Sequence, residues 1–387
     1  MSGRKRIAIL GSTGSIGRQT LEVVAWHPDC FEVVGLAARN DSPLFREQVR
    51  QFRPKLAALT GATEDGWTPD GTDMAFGEAS LVDMATAPDI DVVVVATSGT
   101  AGLAPTIAAL RMGRPVALAN KEVLIMAGHL VTEAARVSGA PIIPVDSEHS
   151  AVWQCLIGEA KHRVQRLILT ASGGAFRDLP VEQLASVTPA QALQHPNWQM
   201  GPKITVDSAT MMNKGLEVLE AAWLFDVSVD NVSIVIHRES IVHSLVELVD
   251  GSVKAQLSVP DMRLPIQFAL SYPDRLPAPT PALDLARLGS LTFADVDRER
   301  FKCLYLAIDA GRLGDSYPTV MNAANEVAVE LFLTGMLRFD QIPWVVEEIM
   351  ERHVPVRSPS LDDVCAADAW ARDAGRRAAA AVAMATR

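Results

Sequence analysis

The segment Asp91–Thr97, DVVVVAT, is a run of β-branched side chains with no polar alternation. A strand of that kind needs apolar cover on both faces, which a parallel sheet held between helices provides. The first 150 residues repeat the theme. Arg6–Leu10, Phe31–Ala37, Pro115–Ala119 and Pro141–Val145 read as strands, and Ser15–Trp26, Ser42–Phe52 and the stretch from about Glu122 to Val137 read as amphipathic helices. Alternation of this type predicts an α/β fold with an N-terminal Rossmann-like parallel sheet.

From His149 onward the pattern changes. A helix is expected over Ala151–Gly158 and a strand over Arg163–Thr170. Three valine- and isoleucine-rich runs follow at Asn231–His237, Ile241–Val249 and Ser252–Val259. Asp250-Gly251 between the last two is a hairpin signal, because a tight turn there needs positive φ. Residues 273–297 are proline-rich and aperiodic, and Pro318–Thr334, Gln341–Arg352 and the alanine-rich end from Ser360 are helical in pattern. A chain of 387 residues exceeds one ordinary core. The expected division is a dinucleotide-binding domain over 1–148, a central α+β catalytic domain over 149–272 with a flap at 193–202, a linker over 273–297, and a C-terminal α-helical domain over 298–387.

The net charge of -11 argues against a nucleic-acid partner, which requires a basic surface. The four cysteines are scattered without metal-finger spacing, as expected of reduced thiols. No run of roughly 18 apolar residues suggests a membrane span, and the start MSGRKRIAILGSTG has no apolar signal core, so a cytoplasmic protein is expected.

Gly11, Gly14 and Gly17 follow the first strand directly and open a helix. Glycines there allow a pyrophosphate to approach the backbone at a helix N-terminus. The second strand ends Ala38-Arg39-Asn40 with no carboxylate for a ribose 2′-hydroxyl, whereas Arg39 suits a 2′-phosphate. NADPH is therefore expected over NADH.

Asp146 and Glu148 lie just beyond the strand Pro141–Val145. If the backbone stays extended, both carboxylates point to one side, and hard oxygen donors suit Mg²⁺ or Mn²⁺. On a helix from Asp207, Asn213, Lys214 and Glu217 share one face. Ser208, Asn213 and Lys214 supply the hydroxyl, amide and ammonium donors a phosphate needs, and Ser172 in ASGGAF adds another. Gly215 within that helix implies close packing, since glycine otherwise weakens a helix. His195-Pro-Asn-Trp198-Gln-Met200-Gly201 reads as a loop able to close over a ligand.

Together GSTGSIG (11–17), NKE (120–122), DSEH (146–149), ASGG (171–174), HPNWQMG (195–201) and DSATMMNKGLE (207–217) resemble the 1-deoxy-D-xylulose 5-phosphate reductoisomerase family. The resemblance implies NADPH-linked, metal-dependent conversion of 1-deoxy-D-xylulose 5-phosphate to 2-C-methyl-D-erythritol 4-phosphate, a step toward isoprenoid precursors, in a homodimer. It implies a divalent metal (Mg²⁺ or Mn²⁺, with Co²⁺ a further option) on Asp146, Glu148 and Glu217. The substrate would meet Ser147, Glu148, Ser172, His195, Trp198, Met200, Ser208, Asn213, Lys214, Glu217, His243 and Met262. NADPH would meet Thr13, Gly14, Ser15, Ile16, Ala38, Arg39, Asn40, Asn120, Lys121, Glu122 and Gly201. Lys121, Glu148 and His195 are the candidates for catalytic roles. Two departures are Ala38-Arg39-Asn40 in place of the frequent Gly-Lys-Asn, and ASGGAF in place of ASGGPF.

Two other readings fit the residues by themselves. One is a different NADPH-linked dehydrogenase acting on a metal-chelated hydroxy acid. The other is a non-catalytic NADP sensor, which would have no use for convergent carboxylates.

Overall fold

A computed structural model describes residues 3–61, 67, 69–198 and 200–385. The chain divides into two units. One comprises Met1–Leu124, Gly128–Ser150 and Asp261–Pro281; the other comprises Ile125–Ala127, Ala151–Pro260 and Ala282–Arg387.

The first unit holds seven strands: β1 (Lys5–Leu10), β2 (Phe31–Ala38), β3 (Leu56–Leu59), β4 (Asp73–Phe76), β5 (Val92–Val95), β6 (Val116–Leu118) and β7 (Ile142–Pro144). All pair in parallel, in the order β4-β3-β2-β1-β5-β6-β7. The order reverses across β1, whose neighbours are β2 and β5, so a crevice opens at the carboxyl ends of those strands. Val92–Val95 are all buried, as their unbroken β-branched character requires. Helix starts follow local chemistry. Ser42 accepts from Phe45 N at 3.1 Å ahead of the helix Pro43–Phe52, and Asn120 accepts from Val123 N at 3.1 Å ahead of Lys121–Ser138. Gly139 at φ 74 ends the latter helix.

The helix Arg263–Ser271 also belongs to the first unit, and its Ile266, Ala269 and Leu270 enter the same core as Ile7, Ile9 and Leu21. An apolar helical stripe carries no address, and this one packs back on the parallel sheet's own layer.

The second unit is built on a four-stranded mixed sheet of β8 (Val164–Ala171), β9 (Val232–Ile236), β10 (Val242–Leu248) and β11 (Val253–Leu257), ordered β11-β10-β8-β9. β8 and β9 are parallel; β10 is antiparallel to both β8 and β11, and the β10–β11 turn uses Gly251 at φ 83. The helices Met212–Phe225, Lys302–Leu313, Tyr317–Leu333, Ile342–Glu351 and Leu361–Ala385 share one core with this sheet, from Leu167 and Leu216 through Val320 and Val345 to Ala371. The C-terminal helices thus fall in the same unit as the mixed sheet. The segment expected as a linker is partly tied down, with Ala294 bridging Ile236. Among the described residues no helix is long and apolar enough to cross a membrane.

Candidate active-site elements

The glycine turn of the first unit shows which glycines packing demands. A Cβ on Gly11, at φ 93, would lie 2.5 Å from the Ala96 carbonyl oxygen, and one on Gly17 would lie 2.2 Å from the Gly11 oxygen. Neither position admits a side chain. Gly14 differs: its nearest neighbour would be 3.4 Å away, an ordinary contact. Packing leaves room at Gly14, which precedes the helix Ser15–Trp26 and makes no side-chain cap. No side chain caps the first turn of that helix, the arrangement that suits an anion. Ser12, fully buried, donates its hydroxyl to Gln48 Oε1 at 2.8 Å while Gln48 Nε2 returns a bond to the Ser12 carbonyl at 2.9 Å. That clamp sets the turn's shape, and no local sequence pattern announces it.

Thr13 and Ile16 are half-buried and Gly14 and Ser15 exposed, all on this turn. Ala38 is buried at the end of β2, followed by the exposed Arg39 and Asn40. Gly61 lets their backbone settle, because a Cβ there would lie 2.9 Å from both Arg39 O and Asn40 Oδ1. Asn120, after β6, is committed to structure. Besides capping its helix it donates to Thr97 O and to Gly99 O, each at 2.9 Å. Its side chain therefore shapes the loop after β5, and Glu122 stands half-buried in the first turn beyond it.

Asp146 follows β7, and the helix Ser147–Leu156 begins at once. The extended backbone expected through 146–148 is not found. Asp146 Oδ1 accepts from Ser147 N at 3.0 Å, and Glu148 sits in the first helical turn, accepting from Ser147 Oγ at 2.6 Å. Two carboxylates at a helix N-terminus are stabilised by the helix dipole. Asp146 also forms an ion pair with the buried Lys121, and His149 Nδ1 lies 3.3 Å from Asp146 Oδ2. His149 belongs to the DSEH motif, and only its burial against Asp146 marks it out from an ordinary core histidine.

The second unit holds the anion-binding candidates. DSATMMNKGLE is not one helix: Met211, at φ 61, separates Pro202–Thr210 from Met212–Phe225. Ser208 thus lies on one helix and Asn213, Lys214 and Glu217 on the next. Within the second helix the predicted face is present. Asn213 Nδ2 donates to Glu217 Oε1 at 2.6 Å, and the Lys214 ammonium pairs with Glu217 Oε2. Lys214 and Glu217 are 4% and 1% exposed, so this is a buried pair rather than a solvated surface one. Gly215 has the packing reason its position implied: a Cβ there would lie 2.5 Å from Ala307 Cβ.

Gly174, at φ 69, sets the ASGG loop against the Ser208 backbone. A Cβ on Gly174 would meet the Ser208 carbonyl oxygen at 2.4 Å, so only glycine lets the ASGG loop rest on that helix. Ser172 Oγ accepts from Gly174 N at 3.2 Å and lies 3.0 Å from His195 Nε2. His195 Nδ1 accepts from Asn197 N and Trp198 N at 3.2 and 2.9 Å, so the proton of the neutral ring resides on Nε2 and is donated to Ser172. With its oxygen already accepting twice, Ser172 has a proton to offer, which suits an anionic oxygen. Trp198 lies 6.3 Å from the His243 ring, and His243 donates through Nε2 to Ser258 Oγ at 2.9 Å, since that hydroxyl itself donates to Val259 O. Met200 is half-buried, and Gly201 precedes the helix Pro202–Thr210. Met262 falls in the first unit, before the helix Arg263–Ser271.

One further anchor had no sequence signal. Asp207, 1% exposed, pairs with Lys203 at 2.9 Å and accepts from Asn325 Nδ2 at 2.8 Å. This holds the Ser208 helix to the helix Tyr317–Leu333.

Models of known families match most of the chain: 1-deoxy-D-xylulose 5-phosphate reductoisomerase over residues 7–128, its C-terminal domain over 142–225, and the DXP reductoisomerase C-terminal domain over 257–374. The chain is 53% identical over 380 residues to the 1-deoxy-D-xylulose 5-phosphate reductoisomerase of Pelotomaculum thermopropionicum, covering 96% of this chain and 97% of that one. It is 53% identical over 376 residues to that of Gloeobacter violaceus, covering 95% and 96%. Among solved structures it is similar to the Zymomonas mobilis enzyme in complex with NADPH, with TM-score 0.91, 39% identity, and 98% and 99% coverage. A DOX-P reductoisomerase in complex with NADPH, fosmidomycin and magnesium matches with TM-score 0.90 and 37% identity over 97% and 98% of the two chains. The chain belongs to the 1-deoxy-D-xylulose 5-phosphate reductoisomerase family.

Proposed function

We infer that this protein is a metal-dependent, NADPH-linked oxidoreductase that converts 1-deoxy-D-xylulose 5-phosphate to 2-C-methyl-D-erythritol 4-phosphate. The observation in the chain that carries the reading is the Ser172 hydroxyl, saturated as an acceptor, on a loop that packs through Gly174 on the Ser208 backbone. A different dehydrogenase and a non-catalytic sensor are both set aside by membership of the family over its full length.

The residues fit both groups that relatives hold. Gly14 has the room and the helix N-terminus a pyrophosphate needs. We propose that Thr13, Gly14, Ser15 and Ile16 hold it, with Arg39 and Asn40 at the 2′-phosphate. Asp146, Glu148 and Glu217 supply carboxylate oxygens, the hard anionic donors a divalent cation takes. We assign the metal to these three. When bound, NADPH supplies the hydride and the dication polarises the substrate carbonyl.

The chain's own residues then position the substrate. Ser172, Ser208, Asn213 and Lys214 bind the phosphate. Its binding energy immobilises the carbon skeleton, so that the rearrangement proceeds between fragments that cannot drift apart. Ser147 and Lys121 stand beside the carboxylates, where the substrate hydroxyls must bind. His195, Trp198 and Met200 form a flap that excludes water, and His243 and Met262 line the pocket. Lys121 and Glu148 are our candidates for proton movement. We further propose a cytoplasmic homodimer, which sedimentation of the purified protein tests.

The decisive experiment is the loss of NADPH absorbance with 1-deoxy-D-xylulose 5-phosphate, with and without Mg²⁺ or Mn²⁺. Oxidation that needs both the sugar phosphate and the dication is expected. NADPH binding without turnover would overturn the reading.

A further inference from the structure

Asn197 lies between the two flap residues His195 and Trp198. Its Nδ2 donates to the Arg238 carbonyl at 2.7 Å and to Ser240 Oγ at 2.7 Å, which uses both amide hydrogens. The amide orientation follows, because turning it over would set Oδ1 against the Arg238 carbonyl, acceptor to acceptor.

The surface that receives Asn197 is held independently of the flap. His237, fully buried, donates from Nδ1 to Thr292 O at 2.9 Å, and its Nε2 accepts from Ile241 N and Val242 N, both at 3.1 Å. Its ring stacks on Phe293 with centroids 4.8 Å apart. Glu239 accepts from Thr292 Oγ1 at 2.7 Å, and Arg238 makes a two-pronged pair with Asp178 at 2.7 and 2.5 Å. Ser240, at φ 53 and 9% exposed, turns its hydroxyl toward Asn197 in a backbone conformation that the neighbouring bonds impose.

We infer that Asn197 is the latch of the flap: its amide fastens the His195–Trp198 loop to the rigid turn Arg238–Ser240, holding closed the form in which His195 reaches Ser172. The inference rests on the proposed phosphate site and flap. Asn197 is a positioning residue and touches no reacting atom. A closed loop held by contacts outside the ligand raises ligand affinity by raising the population of the competent form, and it slows release more than capture.

The test uses the full-length enzyme with NADPH and Mg²⁺, in wild-type, Asn197→Ala, Ser240→Ala and doubly substituted forms. Loss of two hydrogen bonds should speed fosmidomycin release and raise the KM for 1-deoxy-D-xylulose 5-phosphate by about tenfold in Asn197→Ala. Association rate, NADPH affinity and melting temperature should be unchanged. Ser240→Ala should give a smaller effect of the same kind, and the double variant should be no worse than Asn197→Ala, as a shared interaction requires. Unchanged release in Asn197→Ala overturns the latch, and so do additive effects in the double variant. A wild-type protein that holds fosmidomycin and loses it on Asn197→Ala, yet turns over no sugar phosphate, would overturn the reaction and support the latch.

Discussion

His195 Nε2 stands 3.0 Å from Ser172 Oγ, and Nδ1 of the same ring accepts two backbone N–H groups of its own loop. One imidazole therefore shapes the loop and holds the Ser172 hydroxyl proposed to bind phosphate. His195→Ala should lower kcat/KM by roughly 10- to 100-fold, the effect of losing one oriented hydrogen-bonding group at a charged ligand. Because the loop is only half-buried, the melting temperature should hold. Steady-state kinetics beside a thermal melt checks this, and an equal loss of stability would make His195 merely structural.

Glu217→Gln removes the charge facing the buried Lys214 while keeping the side chain's shape. Turnover and divalent-metal affinity should fall by orders of magnitude, whereas NADPH affinity should persist, since the glycine turn lies in the other unit. Fluorescence titration of NADPH and calorimetric titration of Mn²⁺ separate the two effects. Near-normal activity would remove Glu217 from the metal site.

The glycine turn makes a paired prediction. Gly14→Ala should fold normally, because its nearest contact is 3.4 Å, yet bind NADPH at least tenfold more weakly if a phosphate occupies that space. Gly17→Ala should instead destabilise the first unit, because backbone oxygen lies 2.2 Å from the added Cβ and cannot yield. Arg39→Asp should narrow the preference for NADPH over NADH, measured as the ratio of kcat/KM values.

Gly215→Ala sets helix propensity against packing. Propensity favours alanine by about 1 kcal/mol in a free helix. Here the new methyl meets Ala307 Cβ at 2.5 Å and Leu304 O at 3.2 Å between two packed helices. Overpacking of about 1–3 kcal/mol should win, giving a net loss of stability in denaturant unfolding.

His353 supplies a pH-dependent stability. Burial holds its pKa below the ordinary value of 6.5, and its Nε2 lies 2.7 Å from Ser316 Oγ. The unfolded chain therefore takes up a proton more readily than the folded one. Stability from this group is complete above pH 6.5 and declines as pH falls from there through the lowered folded pKa. Thermal melts between neutral pH and about pH 5 should show a shallower decline in His353→Gln than in wild type.

Much of the first unit was legible because its signals are local. Ser15–Trp26 is helical between its predicted limits, and Phe31–Ala38 extends the expected strand by one residue. The short strands Leu56–Leu59 and Asp73–Phe76 were not foreseen. LAAL has no β-branched residue, and the strand arises from its pairing with β2. The 207–217 segment reads as one helix because its apolar spacing runs on through Met211, where the positive φ breaks it.

From the sequence alone came the parallel α/β layer, the phosphate-type turn, and the face that puts Asn213, Lys214 and Glu217 together. Those depend on glycine sterics and on a repeat of 3.6 or 2 residues, which neighbouring positions settle among themselves. Tertiary structure decided the rest: Gly174 resting on Ser208, Asn325 gripping Asp207, Asn197 tied to Arg238, and the helix Arg263–Ser271 joining the first core. Each of these joins segments far apart in the chain, where no period links the partners and only the shape of the folded surfaces selects them.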